Sequence, residues 1–241
     1  MLTKTNAIVL HTMKLNDSSV IADLLTEEYG RLSFVVRIPK TNKGKIKKQL
    51  FQPMSILEII FDYRQRMSLQ HIKEARISTP FSSIPFSPVK LSVALFLAEF
   101  LYHATRGEQH NEPLFQYIRN SIMWLDTSEE SVANFHLVFI MRLSRFIGFY
   151  PNLEDHAKGY YFDMRNASFT STPPPHPDVL QPDDAARIHT LMRMNYDTMH
   201  LFRMSRKDRN RITETAIHYY RLHIPQMPEL QSFSVMKELF I

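Results

Sequence analysis

The chain has no cysteine in its 241 residues, which excludes disulfides and thiolate metal sites. Glycine is nearly as scarce, with five residues. They form no phosphate-cradling P-loop, no dinucleotide-binding G-x-G-x-x-G and no nucleophile elbow G-x-S-x-G. No apolar run approaches the length of a membrane span, and the N-terminus lacks the pattern of a secretory signal. A cytoplasmic protein with no membrane partner is expected. Eleven histidines are present, but none forms H-E-x-x-H or an i, i+4 pair on a helix. The candidates for a metal, His156 with Glu154 and Asp155, Asp163, His176 with Asp178, and His189, are scattered. No cofactor, metal site or catalytic residue is nominated, and an enzyme is not expected.

What the chain does have is an uneven charge. The formal net charge is +5. Residues 1–80 hold 13 Lys and Arg against 7 Asp and Glu, and residues 81–241 hold 16 against 17. The positive field therefore belongs to the first third, the asymmetry expected of one polyanion-binding module. Its strongest local source is the stretch 37–48, where Arg37, Lys40, Lys43, Lys45, Lys47 and Lys48 occur without an acid.

That stretch joins two segments of period-two alternation. In 31–38, Leu32, Phe34, Val36 and Ile38 share one face, and in 56–64, Leu57, Ile59, Phe61 and Tyr63 do. Alternation of this kind predicts half-buried antiparallel strands. Segments 5–14, 19–26 and 69–78 complete five strands within residues 1–80, with Tyr29-Gly30 turning between the second and third. A small closed barrel such as an OB-fold fits, with an SH3-like barrel or half-sandwich also open.

Prolines at 80, 85 and 88 then break the pattern. Helices are predicted over 88–106, 113–125, 130–147, 183–202, 206–222 and 232–239, with Thr127 and Glu130 as a capping box for the third. Between Pro151 and Pro182 the run Pro173-Pro174-Pro175-His176-Pro177 predicts an irregular insert, in which Tyr160-Tyr161-Phe162 could form a short strand. The fold class is thus α+β: a barrel over 1–80 and an all-helical domain over 81–241 carrying an insert at about 151–182.

Lysines on a connecting loop can each meet a phosphate and release counterions, giving salt-dependent, sequence-tolerant binding. Phe34, Phe51, Phe61 and Tyr63 could add stacking platforms, although the alternation turns several inward. The competing reading is a solvated loop. A second cluster comprises Arg203, Arg206, Lys207, Arg209 and Arg211, with Ser205 and Asp208 as a helix cap. Cations at a helix start oppose its dipole, so an anionic ligand or pairing with Asp183, Asp184 or Asp197 must account for them. Arg142 and Arg145, one turn apart on an apolar helix, could clamp an acidic–hydrophobic peptide or reach past the core to solvent.

Several motifs resemble one family in order and spacing. They are Ala7-Ile8-Val9-Leu10-His11, the run from Ser18 to Arg31 containing Asp23-Leu24-Leu25-Thr26-Glu27-Glu28-Tyr29-Gly30, and Leu50-Phe51-Gln52-Pro53-Met54 after the basic loop. Arg142-Leu143-Ser144-Arg145-Phe146-Ile147-Gly148-Phe149-Tyr150-Pro151 leads into the insert. Together they resemble RecO, the bacterial recombination mediators, over essentially the full length. The resemblance implies an N-terminal OB-fold, a C-terminal helical domain and a non-enzymatic, nucleoid-associated protein that binds single- and double-stranded DNA and anneals complementary strands. It implies partnership with RecR and with the acidic C-terminal tail of single-stranded DNA-binding protein, in support of RecA loading. DNA contact then falls on Arg37, Lys40, Lys43, Lys45, Lys47 and Lys48, and tail contact on the helical domain, where Arg142 and Arg145 are candidates. Many members of that family carry a four-cysteine zinc motif in the region of the insert, so no zinc is expected here. The alternatives are an RNA-binding or ribosome-associated OB protein, a metal-dependent nuclease using the 154–178 carboxylates and histidines, and an adaptor for an acidic protein.

Overall fold

The computed structural model describes residues 2–38, 46–129 and 132–239. Five strands close into a barrel: β1 (Leu2–Asn16), β2 (Ser19–Thr26), β3 (Gly30–Arg37), β4 (Ile56–Asp62) and β5 (Leu69–Thr79). Their order around the barrel is β1-β2-β3-β5-β4, with β3 and β5 parallel and the other adjacent pairs antiparallel. This is the expected OB-fold, and all five strands overlap the segments expected for them. Val20, Ala22 and Leu24, then Phe34 and Val36, then Leu57, Ile59 and Phe61 point inward, and Phe51 plugs the core from outside the strands. A bulge in β1 between Val9 and His11 breaks the alternation, so Leu10 is also buried while His11 sits opposite Asp23.

Gly30 has a φ of 66°, and a Cβ there would stand 2.4 Å from the Gln109 carbonyl group. The close approach lets Arg31 N donate to the Glu108 carbonyl at 3.0 Å.

The chain forms two compact units, Met1–Thr127 with Leu230–Leu239, and Ser128–Glu229. This division differs from the expected break after residue 80. In the first unit α1 (Pro88–Ala104), α2 (Glu112–Thr127) and α6 (Gln231–Leu239) accompany the barrel. Ser87 caps α1, with Pro88 in its first turn. Both oxygens of Glu99 on α1 accept from the start of α6, Gln231 N at 3.0 Å and Ser232 N at 2.8 Å. Asp126, at the end of α2, accepts from the backbone N–H groups of Ser82, Ser83 and Ile84. These long-range contacts are invisible to local periodicity, which is why the unit boundary differs from the composition boundary.

The second unit holds α3 (Phe135–Leu143), α4 (Pro182–Arg193) and α5 (Arg206–His223). Two helices are shorter than predicted. Thr127 closes α2 and Glu130 lies outside the described residues, so the expected capping box does not define the start of α3. Asn134 precedes it, its amide donating to the Met199 and Phe202 carbonyls at 3.0 and 2.8 Å. Helix α4 stops at Arg193 because Asn195 turns the chain, accepting from Thr198 N at 2.8 Å. The insert is largely loop, as expected, but it carries a small sheet whose first strand falls on the expected Tyr160-Tyr161-Phe162 segment, so the second unit is not purely helical. Strands β6 (Tyr161–Asp163), β7 (Ser168–Thr170) and β8 (Val179–Leu180) form an antiparallel sheet of order β7-β6-β8. Asp163 organises its hairpin by accepting from Arg165 N and Asn166 N at 2.9 and 3.1 Å. No described helix is long and apolar enough to cross a membrane.

Candidate nucleic-acid interface

The basic stretch leaves β3 at Arg37, which is exposed and paired in register with Ser19. Lys40, Lys43 and Lys45 lie outside the described residues. The chain resumes at Ile46 and enters a 3-10 turn at Lys48–Phe51, with Lys47 preceding it in an extended conformation. Phe51 is the anchor, since its ring is buried in the barrel and its carbonyl accepts from Thr12 Oγ1 at 3.0 Å. Lys47 and Lys48 are consequently exposed on a fixed stem. Among the described residues, Arg37, Lys47 and Lys48 have no carboxylate partner.

The other barrel cations differ. Lys4 and Arg76 converge on Glu58 at 2.9 and 2.7 Å, and their hydrogen bonds hold its carboxyl below the usual range. Lys14 pairs with Asp17 at 2.7 Å and Arg64 with Asp62 at 3.4 Å. Arg31 lies over the Tyr102 ring at 4.3 Å and donates to the Tyr102 carbonyl. These side chains serve the fold, whereas an unpaired surface cation can exchange its counterions for phosphates. Sequence reasoning missed Arg66, exposed in the β4–β5 connection, one of the loops OB-folds use for nucleic acid. The barrel topology is the signal that could have found it.

The proposed stacking platforms do not survive. Phe34, Phe51 and Phe61 are buried core, and Tyr63 packs at 4.5 Å on Tyr29. The outer face of β1, β2 and β3 instead carries a row of Met13, Ile21 and Val35.

In the second cluster, Ser205 caps α5 as expected: its Oγ accepts from Asp208 N at 3.1 Å and donates to the Asp208 carboxylate at 2.6 Å. That bond, the largest influence, keeps the Asp208 carboxyl low. Arg209 is structural, donating to Asn134 Oδ1 at 3.0 Å and the Met204 carbonyl at 3.2 Å. Arg211 pairs with Asp184 at 2.7 Å. Arg203 and Lys207 are exposed and have no carboxylate partner among the described residues; Arg206 is exposed in the first turn. The cluster therefore divides between packing and solvent.

Arg142 and Arg145 are not a matched pair. Arg142 donates through Nε and Nη2 to the Met194 carbonyl, at 3.3 and 3.1 Å, and so secures the end of α4. Arg145 lies beyond the end of α3, exposed, 6.0 Å from the Tyr150 ring centre. A groove of about 410 Å³ elsewhere in this unit is lined by Leu191, Phe202, Met204 and Ile212, with Arg187 and Arg203 among its walls.

The insert does not fit a zinc ion of the four-thiolate kind, because the chain has no cysteine. Among the described residues no group of three or more His, Asp and Glu could hold a metal. Carboxylates hold the sheet instead. Asp178 accepts from Arg165 at 2.6 Å and pairs with His218 at 2.9 Å, and those bonds keep its carboxyl low. Asp163 stands 3.4 Å from His176 Nε2.

Comparison with known proteins divides the sequence near residue 80. Residues 1–81 match the family model described as recombination protein O, N terminal, and residues 85–231 match that for the C terminal. A DNA repair protein RecO of Bacteroides fragilis is 55% identical over 241 residues, covering 100% of both chains. A protein of the same name from Phocaeicola vulgatus is 54% identical over 240 residues, again with both chains fully covered. One from Porphyromonas gingivalis is 34% identical over 246 residues, with the same coverage.

Proposed function

The chain belongs to the RecO family, and we propose that it is a DNA repair and recombination mediator that binds single- and double-stranded DNA and anneals complementary strands. The observation that carries the proposal is the set of unpaired cations, Arg37, Lys47 and Lys48, held on the stem of an OB barrel by the buried Phe51. Lys40, Lys43 and Lys45 extend that charge along the sequence. Such a surface screens two phosphate backbones as they approach, and base pairing supplies the driving force. No chemical step or nucleotide cofactor is required. Burial of the barrel phenylalanines favours backbone contact over base readout, in keeping with a protein that must act on any sequence.

The mediator acts with RecR and on DNA coated by single-stranded DNA-binding protein, whose acidic C-terminal tail docks in the second unit, and so helps RecA load. The groove with Arg203 beside Leu191, Phe202 and Ile212 offers a cation and apolar contacts to an acidic peptide with apolar side chains, Arg187 in its wall being paired with Asp184 and Asp208. Exposed Arg145, with Tyr150, offers a second such contact, whereas Arg142 acts by positioning α4. Arg203, Arg206 and Lys207 remain proposed DNA contacts at the start of α5, with Arg209 and Arg211 supporting them through their ties to Asn134 and Asp184.

The test is annealing of complementary strands coated with single-stranded DNA-binding protein, with its tail present or removed. Stimulation by this chain that disappears without the tail is the expected result. Equal stimulation of both would refute tail docking, and no annealing of bare DNA would refute the mediator reading. Equal-length RNA as competitor separates this reading from an RNA-binding one.

A further inference from the structure

The first unit contains an open cleft of about 650 Å³ between β1, the Lys48–Phe51 turn and the outer side of α1. Its volume is in the range of about 300–1,000 Å³ found for small-ligand sites. One wall carries Lys48 and Gln52, both exposed, and the opposite wall carries Leu95, an apolar side chain 41% exposed. Rings line the interior. The His11 and Tyr102 rings lie 4.5 Å apart, and Tyr102 meets His103 edge to face at 4.8 Å.

Two of the rings have close charged neighbours. Arg31 lies over Tyr102, and His11 Nδ1 stands 3.5 Å from Asp23. The β1 bulge at Leu10 is what places His11 opposite Asp23. Burial, with Arg31, Arg106 and His11 nearby, outweighs Glu99 and keeps His103 below its ordinary value, so that at neutral pH it offers a ring and not a charge. Glu99, the acid of the cleft, is engaged by Gln231 and Ser232 at the start of α6.

Half-buried rings, an apolar wall and hydrogen-bonding side chains, with one unpaired lysine at the edge, are complementary to an unpaired nucleobase and its own phosphate. We propose that this cleft receives a single unstacked base of a DNA strand, with the base against His11, Tyr102 and His103 and its phosphate at Lys48. The inference rests on the DNA-binding reading and extends it. Lys48 belongs to both the basic stem and the cleft, so a strand running over the stem has one nucleotide within reach of the rings. The barrel's own phenylalanines are buried, so the cleft supplies base stacking that the barrel surface lacks. A duplex, whose bases are already stacked and paired, would not use it.

The test uses the full chain and two readouts. The first is affinity for a fluorescently labelled oligothymidylate and for a duplex of equal length, measured for Leu95→Glu and His103→Ala. Thermal unfolding of each variant checks that it folds. Stacking energies per base predict a loss of about tenfold for the single strand, with little change for the duplex. The second readout is photocrosslinking of a 5-iododeoxyuridine oligonucleotide to the unmodified protein, with adducts expected on the peptides bearing His11 or Tyr102 and His103. Equal losses for both DNAs would overturn the slot, as would unchanged single-strand affinity in folded variants, or adducts found only elsewhere. A variant lacking Arg37, Lys43, Lys45 and Lys47 separates the two proposals: if it keeps full affinity, the stem reading falls, whereas the cleft result is read from the single-strand and duplex difference alone.

Discussion

Replacing Arg37, Lys47 and Lys48 together by alanine removes three exposed cations that have no carboxylate partner among the described residues. None is tied into the fold by its charged group, so the barrel should melt as before. The expected loss is electrostatic and can be sized. Each phosphate contact to a single strand contributes about 0.7 to the slope of log affinity against log salt, so three contribute about 2. At about 0.1 M salt that slope difference corresponds to roughly a hundredfold weaker binding, and a fourfold rise in salt should cost the unmodified protein about twentyfold more than the variant. The assay is fluorescence anisotropy of labelled oligonucleotides of several sequences, titrated across potassium chloride concentrations. A matching variant, Lys14→Ala, removes a cation paired one to one with Asp17 and should leave the slope nearly unchanged. An unaltered slope in the triple variant would refute the reasoning, and so would a loss confined to one sequence or an equal loss in the control.

Three further outcomes concern the fold. Gly30→Ala should destabilise the first unit by about 1–3 kcal/mol, because the added Cβ meets the backbone at Gln109 and Glu108 and the φ is positive; urea unfolding measures it, and a neutral result would show that the 108–109 segment yields. Asp126→Asn should cost about 2–4 kcal/mol, since one oxygen accepting from Ser82 becomes a donor facing a donor; unchanged stability would mean that these bonds add nothing. For Asp126 burial raises the carboxyl pKa, but the N–H groups of Ile84, Ser82 and Ser83 outweigh it and keep it low, so its contribution is full above the unfolded-state value and fades as acid protonates it. His136 is fully buried beside Thr213, at 2.9 Å, and burial, aided by Arg209, lowers its pKa from 6.5 to about 3. The unfolded chain therefore takes up the proton first, and the second unit should lose up to about 1.4 kcal/mol per pH unit from about pH 6.5 down towards pH 3; His136→Gln should flatten this dependence in acid unfolding, and an unchanged profile would refute it.

Strands β3 and β4 were legible because their inward residues, Phe34 and Val36 or Leu57, Ile59 and Phe61, recur with period two, whereas β2 is buried at nearly every position. The helix ends were less so, because distant groups set them. Asn134 spends its amide on carbonyls at 199 and 202, and Arg142 holds the carbonyl of Met194. The insert looked irregular because its prolines dominate the composition, yet Asp163-Met164-Arg165-Asn166 is a local signature of a carboxylate-capped turn. Of the candidate site, the stem residues were legible as an unbalanced run of charge. The roles of Arg142, Arg209 and Arg211 were not, because a cation near a carbonyl or carboxylate in space reads in sequence like a cation in water.

The same distinction bears on how the charge can act. A lysine or arginine already neutralised by a neighbouring acid has few condensed counterions to release, so it adds to the count of positive residues without adding much to phosphate affinity. By that criterion Lys4, Lys14, Arg76 and Arg211 drop out, with Arg31 and Arg209 held by packing and carbonyl groups. In the barrel Arg37, Lys47, Lys48, Arg66 and Lys73 remain among the described residues; the first three flank one connection, at the exit from β3 and the approach to Phe51, and Arg66 lies in the β4–β5 connection. The opposition between cations and dipole at the start of α5 also eases on this view, since Asp208 and the Ser205 cap face the dipole directly while Arg209 reaches to Asn134 and Arg211 to Asp184. What is left for a ligand in each unit is a small number of unpaired charges on otherwise balanced surfaces. Such an arrangement supports binding that is weak per contact, indifferent to sequence and quickly reversed by salt, which is what the proposed strand annealing requires.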